Sequence, residues 1–123
     1  MKMERLAVLG AVSALVFGAA AALAQDAMKV QPENHKVVFE DEHVRVLDVT
    51  FGPGTTLKTH SHPNHVVYFL ESAKTKQTDA AGKVMDLESK KGDARWVAAT
   101  THSVENVGKT TAHVIVVEMK GKK

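Results

Sequence analysis

From residue 35 onward, short runs rich in valine and phenylalanine alternate with clusters of glycine, proline and polar residues. In residues 43–51 (HVRVLDVTF), one set of alternate side chains would lie on each face of an extended chain, and this period of two is typical of a β-strand. Gly52-Pro53-Gly54 follows and predicts a turn. No stretch of any length has the period of a helix, so the pattern predicts an all-β domain.

The same pattern places the remaining strands. It predicts eight or nine short antiparallel strands, at residues 35–41, 43–51, 57–62, 65–71, 74–79, 84–89, 94–99, 102–107 and 111–120. Turn residues separate them at 80–83 (AAGK) and at 90–93 (KKGD). Short strands between regular turns are typical of a β-sandwich or barrel.

The N-terminus has a different pattern. Lys2 and Arg5 precede residues 6–24, which are apolar or small throughout and end in Ala-Leu-Ala before Gln25. This order is that of a secretory signal peptide. An uncleaved membrane anchor is the alternative, since 19 residues could just span a bilayer. The alanine-rich end favours cleavage, so we expect a leader at 1–24, one domain at 25–123, a periplasmic or secreted location and no stable membrane insertion afterwards.

Charge and composition limit the classes of partner that this domain can bind. Removing Lys2, Arg5 and Glu4 from the chain's 16 basic and 14 acidic residues leaves 14 and 13, a nearly neutral balance. The basic residues are scattered and aromatic residues are few, so nucleic-acid binding is not expected. The chain has no cysteine, so an exported domain of this size has no disulfide to stabilise it.

Candidate chemistry is concentrated in HSHPNH, residues 60–65, which contains three of the seven histidines. Residues two apart in a strand point to the same face, so His60 and His62 project together. A metal platform of three nitrogens then needs a third histidine from a distant strand. The candidates are His35, His43, His65, His102 and His113, of which His102 stands out because it begins HSVEN after a glycine turn and a strand.

Two segments resemble the motifs of the cupin superfamily. GTTLKTHSH (54–62) is similar to the first half of the first motif, and GDARWVAATTHSVEN (92–106) is similar to the second. The resemblance covers nearly all of 25–123 and implies a cupin-type jelly-roll barrel. It further implies a pocket at the barrel mouth, lined by His60, His62 and His102.

The chain also departs from these motifs. The glutamate that the first motif supplies is replaced by Val66 and Val67, and the proline and glycine of the second motif by Ala98 and Thr100. The three histidines therefore carry over and the carboxylate does not. His65 is a candidate fourth ligand, although its strand parity is opposite, because Pro63-Asn64 can bulge the strand. We interpret His35, His43 and His113 as surface or hydrogen-bonded residues.

A site of neutral imidazoles disfavours Mg, Ca and Mn and suits a divalent transition metal, namely Zn, Cu, Ni or Fe. The sequence thus predicts an exported small cupin that binds such a metal, with a small polar ligand in the barrel mouth. The first alternative is a metal-dependent oxygenase, isomerase or hydrolase acting on a small oxygenated substrate. The second alternative is a metal-free binding or assembly module.

Four further residues are candidates for the pocket. Tyr68 could act as an acid or base, and Trp96 could form a wall of the pocket. Arg45 and Arg95 could anchor the carboxylate of a substrate. Each has a simpler interpretation, because aromatic residues are more often in the core and arginines more often solvated. The family resemblance also implies a homodimer, in which the strand of residues 114–119 (VIVVEM) or 36–39 (KVVF) pairs across subunits.

Overall fold

The computed structural model describes residues 25–121. The predicted leader at 1–24 and the last two lysines lie outside this range. Residues 25–121 form nine strands: β1 (His35–Glu40), β2 (Val44–Phe51), β3 (Thr56–His62), β4 (His65–Phe69), β5 (Ala73–Asp79), β6 (Val84–Ser89), β7 (Ala94–Val97), β8 (Thr100–Asn106) and β9 (Ala112–Met119). The all-β prediction is confirmed, and every predicted strand is present with ends that differ by a few residues.

The strands form two antiparallel sheets. One has five strands in the order β1-β2-β9-β4-β7, and the other has four in the order β3-β8-β5-β6. Tight turns link the strands where the sequence predicts them. Gly54 and Gly92 have φ angles of 81° and 91°, a left-handed conformation that glycine adopts without steric cost.

A short N-terminal segment packs beside β3. Helix α1 (Ala27–Val30) is capped by Asp26, whose side chain accepts a hydrogen bond from the Met28 amide at 2.9 Å. A 3₁₀ turn (Pro32–Asn34) then leads into β1. The Ser61 amide donates to the Gln25 carbonyl at 2.7 Å, which ties this segment to β3. Among the described residues, no helix has the length and apolar character needed to cross a bilayer.

The hydrophobic core lies between the two sheets. It consists of inward side chains from both: Leu47, Val49, Phe51, Leu57, Ala73, Val104, Ala112, Val114 and Val116. In β2 and β9 these residues are spaced by two, as the pleat of a strand requires. The core therefore follows directly from the period-two pattern in the sequence.

The outer face of the five-stranded sheet carries exposed apolar side chains. On the five-stranded sheet, Val46 pairs with Val117, Val117 with Val66, and Val66 with Trp96. Phe39 on β1 extends this row, because it pairs with Val46. Trp96 is 59% exposed and Phe39 is 53% exposed. An apolar row thus crosses the outside of all five strands.

Candidate metal centre

The three motif histidines come from adjacent strands of the four-stranded sheet. His60 lies directly opposite His102 in the pairing of β3 with β8. Between Leu57 and His60 the register shifts, since three steps along β3 match two along β8. This β-bulge turns Leu57 and His60 to the same inward face despite their odd spacing. His62 follows two residues later and also points inward, and both histidines are buried.

The three side chains lie close enough to share one ion. One ring nitrogen from each of His60, His62 and His102 lies within 4.8 Å of the other two. The ring centroids are 4.8 Å apart for His60 and His62, and 4.9 Å for His60 and His102. Tetrahedral Zn–N bonds hold their nitrogens about 3.4 Å apart, so each ligand atom would move by less than about 1 Å.

Hydrogen bonds fix which ring nitrogen is free. Nδ1 of His60 contacts the Lys58 carbonyl at 2.6 Å, and Nδ1 of His62 contacts a Glu118 carboxylate oxygen at 2.6 Å. Nδ1 of His102 contacts the side-chain oxygen of Gln77 at 3.2 Å. An oxygen acceptor requires Nδ1 to carry the proton, which leaves Nε2 with its lone pair. Metal-binding histidines are oriented in this way.

Burial keeps two of the three imidazoles neutral, those of His60 and His102. It lowers the pKa of His60 to about 4, with a further contribution from the neighbouring His62. It likewise lowers the pKa of His102 to about 3, helped by His60 and His62. At neutral pH both rings therefore offer lone pairs for which protons do not compete.

His65 joins the cluster from the opposite sheet. β3 ends at His62, Pro63 and Asn64 carry the chain across, and His65 begins β4. Its ring lies 4.7 Å from that of His62, its Nδ1 contacts the Pro63 carbonyl at 2.7 Å, and it is 2% exposed. The parity argument from the sequence does not apply, because His62 and His65 belong to different sheets.

The fold matches many solved structures. A cupin domain from Bordetella pertussis Tohama I shares 21% identity at a TM-score of 0.65, over 71% of this chain and 92% of that one. An RmlC-like cupin family protein with a double-stranded β-helix fold from Methanocaldococcus jannaschii shares 15% identity at a TM-score of 0.56, over 69% and 77%. The chain has the cupin fold. No protein-family model and no curated protein matches the sequence.

Within this cupin fold, the carboxylate of the cluster comes from β9. Glu118 is 3% exposed, and one of its oxygens contacts His62 Nδ1 at 2.6 Å. Its other oxygen accepts a hydrogen bond from Arg45 Nε at 2.8 Å. Burial alone would raise the pKa of Glu118, but the hydrogen bonds from His62 and Arg45 lower it, so it remains ionised. Sequence reasoning missed Glu118, although it is the one charged residue in the inward series of β9.

His35 also lies in this region, and it is hydrogen-bonded, which agrees with its interpretation from the sequence. It is 5% exposed, its ring lies 5.8 Å from that of His60, and its Nδ1 contacts the Gln31 carbonyl at 2.9 Å. Its Nε2 is buried without a partner. By contrast, His43 is exposed, and His113 contacts Asp48 at 2.8 Å away from the cluster.

Three of the four predicted pocket residues, Tyr68, Arg95 and Trp96, lie away from the cluster. Tyr68 and Trp96 are exposed on the outer face of the five-stranded sheet, because His65, Val67 and Phe69 take the inward positions of β4. Arg45 forms two ion pairs. Its Nε contacts Glu118 at 2.8 Å, and its Nη2 contacts Asp26 at 2.9 Å. Arg95 hydrogen-bonds Ser89 and lies over the Phe69 ring. Of these four, only Arg45 touches the cluster, and it does so through Glu118.

Two cavities meet at His62. An inner chamber of about 80 Å³ is lined by the five clustered histidines and by apolar core residues. An outer groove, which includes Arg45 and Glu118, opens at the same end of the barrel. His62 lines both, so the cluster lies between the interior and the solvent-facing groove.

The donor set fits a transition metal. Three imidazoles converge, each with its Nδ1 against an oxygen acceptor, and the unpartnered Nε2 of His35 adds a buried nitrogen beside them. Nitrogen donors of this kind suit Zn, Cu, Ni and Fe(II), whereas Mg, Ca and Mn prefer oxygen. Glu118 contacts His62 at the nitrogen that faces away from the cluster, which is how an outer carboxylate orients a metal-binding histidine.

Proposed function

We propose that this domain binds one divalent transition metal ion, Zn, Cu, Ni or Fe, through Nε2 of His60, His62 and His102. His65 is the fourth side chain available to the ion. The convergence of the three rings, each with Nδ1 held by an oxygen acceptor, is the observation that carries the proposal. A bound ion with an open position would activate a water molecule or bind a ligand oxygen.

Titration with Co²⁺ tests this proposal, since its visible absorption reports nitrogen ligation. We expect saturation at one equivalent for the wild-type domain and no ligand-field band for His102→Ala. The matched control is His43→Ala, which removes an exposed histidine outside the cluster and should bind like the wild type. Absence of stoichiometric Co²⁺ binding by a folded wild-type domain would overturn the proposal.

A metal-dependent enzyme is the second candidate. An oxygenase, isomerase or hydrolase needs an acid or base besides the metal. The buried pair of Glu118 and His62 is the feature that favours this candidate, because it adjoins the outer groove. Arg45 holds Glu118 in its ionised form, however, and this favours a positioning role. We therefore place metal and ligand binding first.

We also propose that the protein acts outside the cytoplasm after removal of residues 1–24. The support is the order of the basic, apolar and Ala-Leu-Ala segments before Gln25. Intact-mass measurement of the protein from fractionated cells should give a chain that starts at Gln25. A full-length protein in the membrane fraction would favour the uncleaved anchor.

A second copy of this chain is the partner that we propose for the outer face of the five-stranded sheet. An antiparallel sheet usually has one polar, solvated face, whereas Val46, Val66, Val117 and Trp96 form an apolar row here. Five strands spaced by about 4.8 Å make this row roughly 20 Å long. Because the domain is nearly neutral, two copies would repel each other only weakly.

Sedimentation velocity of the wild type and of Trp96→Glu tests this pairing. We expect a concentration-dependent dimer for the wild type and a monomer for the variant. Lys76→Glu, on a strand of the four-stranded sheet, is the control and should dimerise. A wild type that stays monomeric at 100 times the concentration needed for metal titration would contradict the proposal.

A further inference from the structure

The barrel interior is not filled by side chains. A chamber of about 80 Å³ remains at its centre, next to the histidine cluster. Its apolar lining includes Val49, Phe51, Leu57, Val104, Val114 and Val116. Protein interiors are close-packed and seldom keep voids larger than a water molecule. A void of this size, lined by core residues and bordered by binding groups, is therefore suited to hold a ligand.

The volume limits the size of that ligand. A dry cavity of roughly 150 Å³ lined by leucine, isoleucine and phenylalanine accepts benzene or xenon. At about half that volume, the chamber accommodates a molecule of roughly three to five non-hydrogen atoms. Sugars, nucleotides and aromatic acids are too large for the chamber itself and would have to extend past His62 into the outer groove.

The lining also selects the ligand's charge. Apart from the histidines, the chamber is bordered by aliphatic and aromatic side chains, Thr75 and Gln77. In the metal-free domain the lining contains no aspartate, glutamate, lysine or arginine side chain, so an ionic ligand would lose its hydration there without a charged partner. A neutral ligand avoids this cost.

The two ends of the chamber then orient the molecule. Val104 and Val114 surround the apolar end, and the free ring nitrogens lie at the other end. We infer that the chamber binds a small neutral molecule with an aliphatic body of two to four carbons and one oxygen or nitrogen donor, the donor facing the histidines. The orientation of the donor rests on the proposed metal site, whereas occupation of the chamber by the aliphatic body does not.

Methyl NMR of the metal-free domain tests occupation directly. Xenon under pressure and 1-propanol are the probes. We expect saturable shifts for the methyl groups of Val104, Val114 and Leu57, with a dissociation constant for 1-propanol in the millimolar range. The exposed Val84 methyl groups report nonspecific effects. If neither probe shifts the chamber methyl groups more than those of Val84, the inference is overturned.

A cavity-filling variant localises the effect. Ala112 is 1% exposed and lines the chamber, so Ala112→Val adds two methyl groups inside it. We expect 1-propanol binding to weaken at least tenfold. Ala94→Val makes the same change at an exposed position of β7 and should bind like the wild type. If Ala112→Val does not fold, Val114→Ile reduces the same volume. Unchanged affinity in a folded chamber variant would overturn the inference.

The orientation of the donor requires a separate arm with Co²⁺-loaded protein. We expect 1-propanol to shift the ligand-field band at the concentrations that shift the Val104 methyl groups. A domain that binds xenon and propanol but no Co²⁺ would leave the chamber valid and overturn the proposed metal site. A domain that binds Co²⁺ but shows no chamber shifts would overturn the chamber alone.

Discussion

Four strands carry apolar side chains into one half of the barrel interior and polar side chains into the other. The strand β3 contributes Leu57 and then His60, and β8 contributes Val104 and then, in the reverse direction, His102. The strand β9 changes from Val116 to Glu118, and β4 changes from His65 to apolar residues. The change occurs at the same end of the barrel in all four strands.

The apolar half of the interior stabilises the fold, whereas the polar half carries the groups suited to binding. The apolar half buries side chains that contribute about 1.5–3 kcal/mol each on leaving water. The polar half includes buried neutral imidazoles and the unpartnered Nε2 of His35, which cost free energy unless they bind something. Substitutions in the two halves should therefore affect different measurements.

The largest expected effect comes from the polar half. His102→Ala removes one of the three proposed ligands, and we expect the dissociation constant for Zn²⁺ to rise at least a thousandfold, about 4 kcal/mol. Competition with a chromophoric chelator measures it. The far-UV circular dichroism of the variant should match the wild type. If His102→Ala bound Zn²⁺ as tightly as the wild type, the polar half would not be the metal-binding half of the interior.

Truncation in the apolar half should give the reverse result. Leu47 is fully buried and belongs to the core cluster. Leu47→Ala should lower the free energy of unfolding by about 3 kcal/mol, while Zn²⁺ affinity of the folded domain stays within threefold. Urea denaturation measures the first and chelator competition the second. Val84→Ala, at a half-exposed site, is the control. A large loss of Zn²⁺ affinity in folded Leu47→Ala would contradict the separation.

A smaller effect tests the carboxylate behind the cluster. Glu118→Gln keeps the shape of the side chain but removes the charge that faces His62 and Arg45. Loss of such an outer partner weakens metal binding by about 10–100-fold. Glu88→Gln makes the same change at an exposed position. Equal Zn²⁺ affinities for the two variants would exclude a positioning role for Glu118.

The smallest effect is the contribution of His60 to the pH dependence of the metal-free domain. The folded-state pKa of His60 is about 4, against an ordinary value of 6.5. As pH falls below 6.5 the unfolded chain binds a proton that the folded chain does not, so stability decreases. Between pH 7 and pH 5.5 His60 contributes a loss of roughly 1 kcal/mol. His60→Gln should reduce the pH slope by that amount in urea denaturation, and an unchanged slope would contradict the lowered pKa.

The fold was predictable because its signals are local. Alternation in residues 43–51, turn glycines such as Gly54 and Gly92, and Val-rich runs require only neighbouring residues to be read. The pairing of strands and the bulge between Leu57 and His60 depend on contacts between distant segments. Those features could not be derived from periodicity.

The site was predictable only where a motif carries it. His60, His62 and His102 occupy motif positions, and the structure brings them together. His65 depends on where the chain changes sheets, and His35 depends on the N-terminal turn that accepts its Nδ1 proton. Glu118 left a usable signal, because a charge at an inward position of an apolar strand needs a buried partner. Tyr68 and Trp96 occupy outward positions of their strands, so they do not line the cavity.

Metal content of the purified protein tests the central claim most directly. Elemental analysis should be made on the wild type, on His60→Ala/His62→Ala and on the control His43→Ala. The account predicts about one equivalent of Zn, Cu, Ni or Fe in the wild type and the control, and none in the double variant. No metal in the wild type, with no uptake when each ion is supplied to the folded protein, would contradict it.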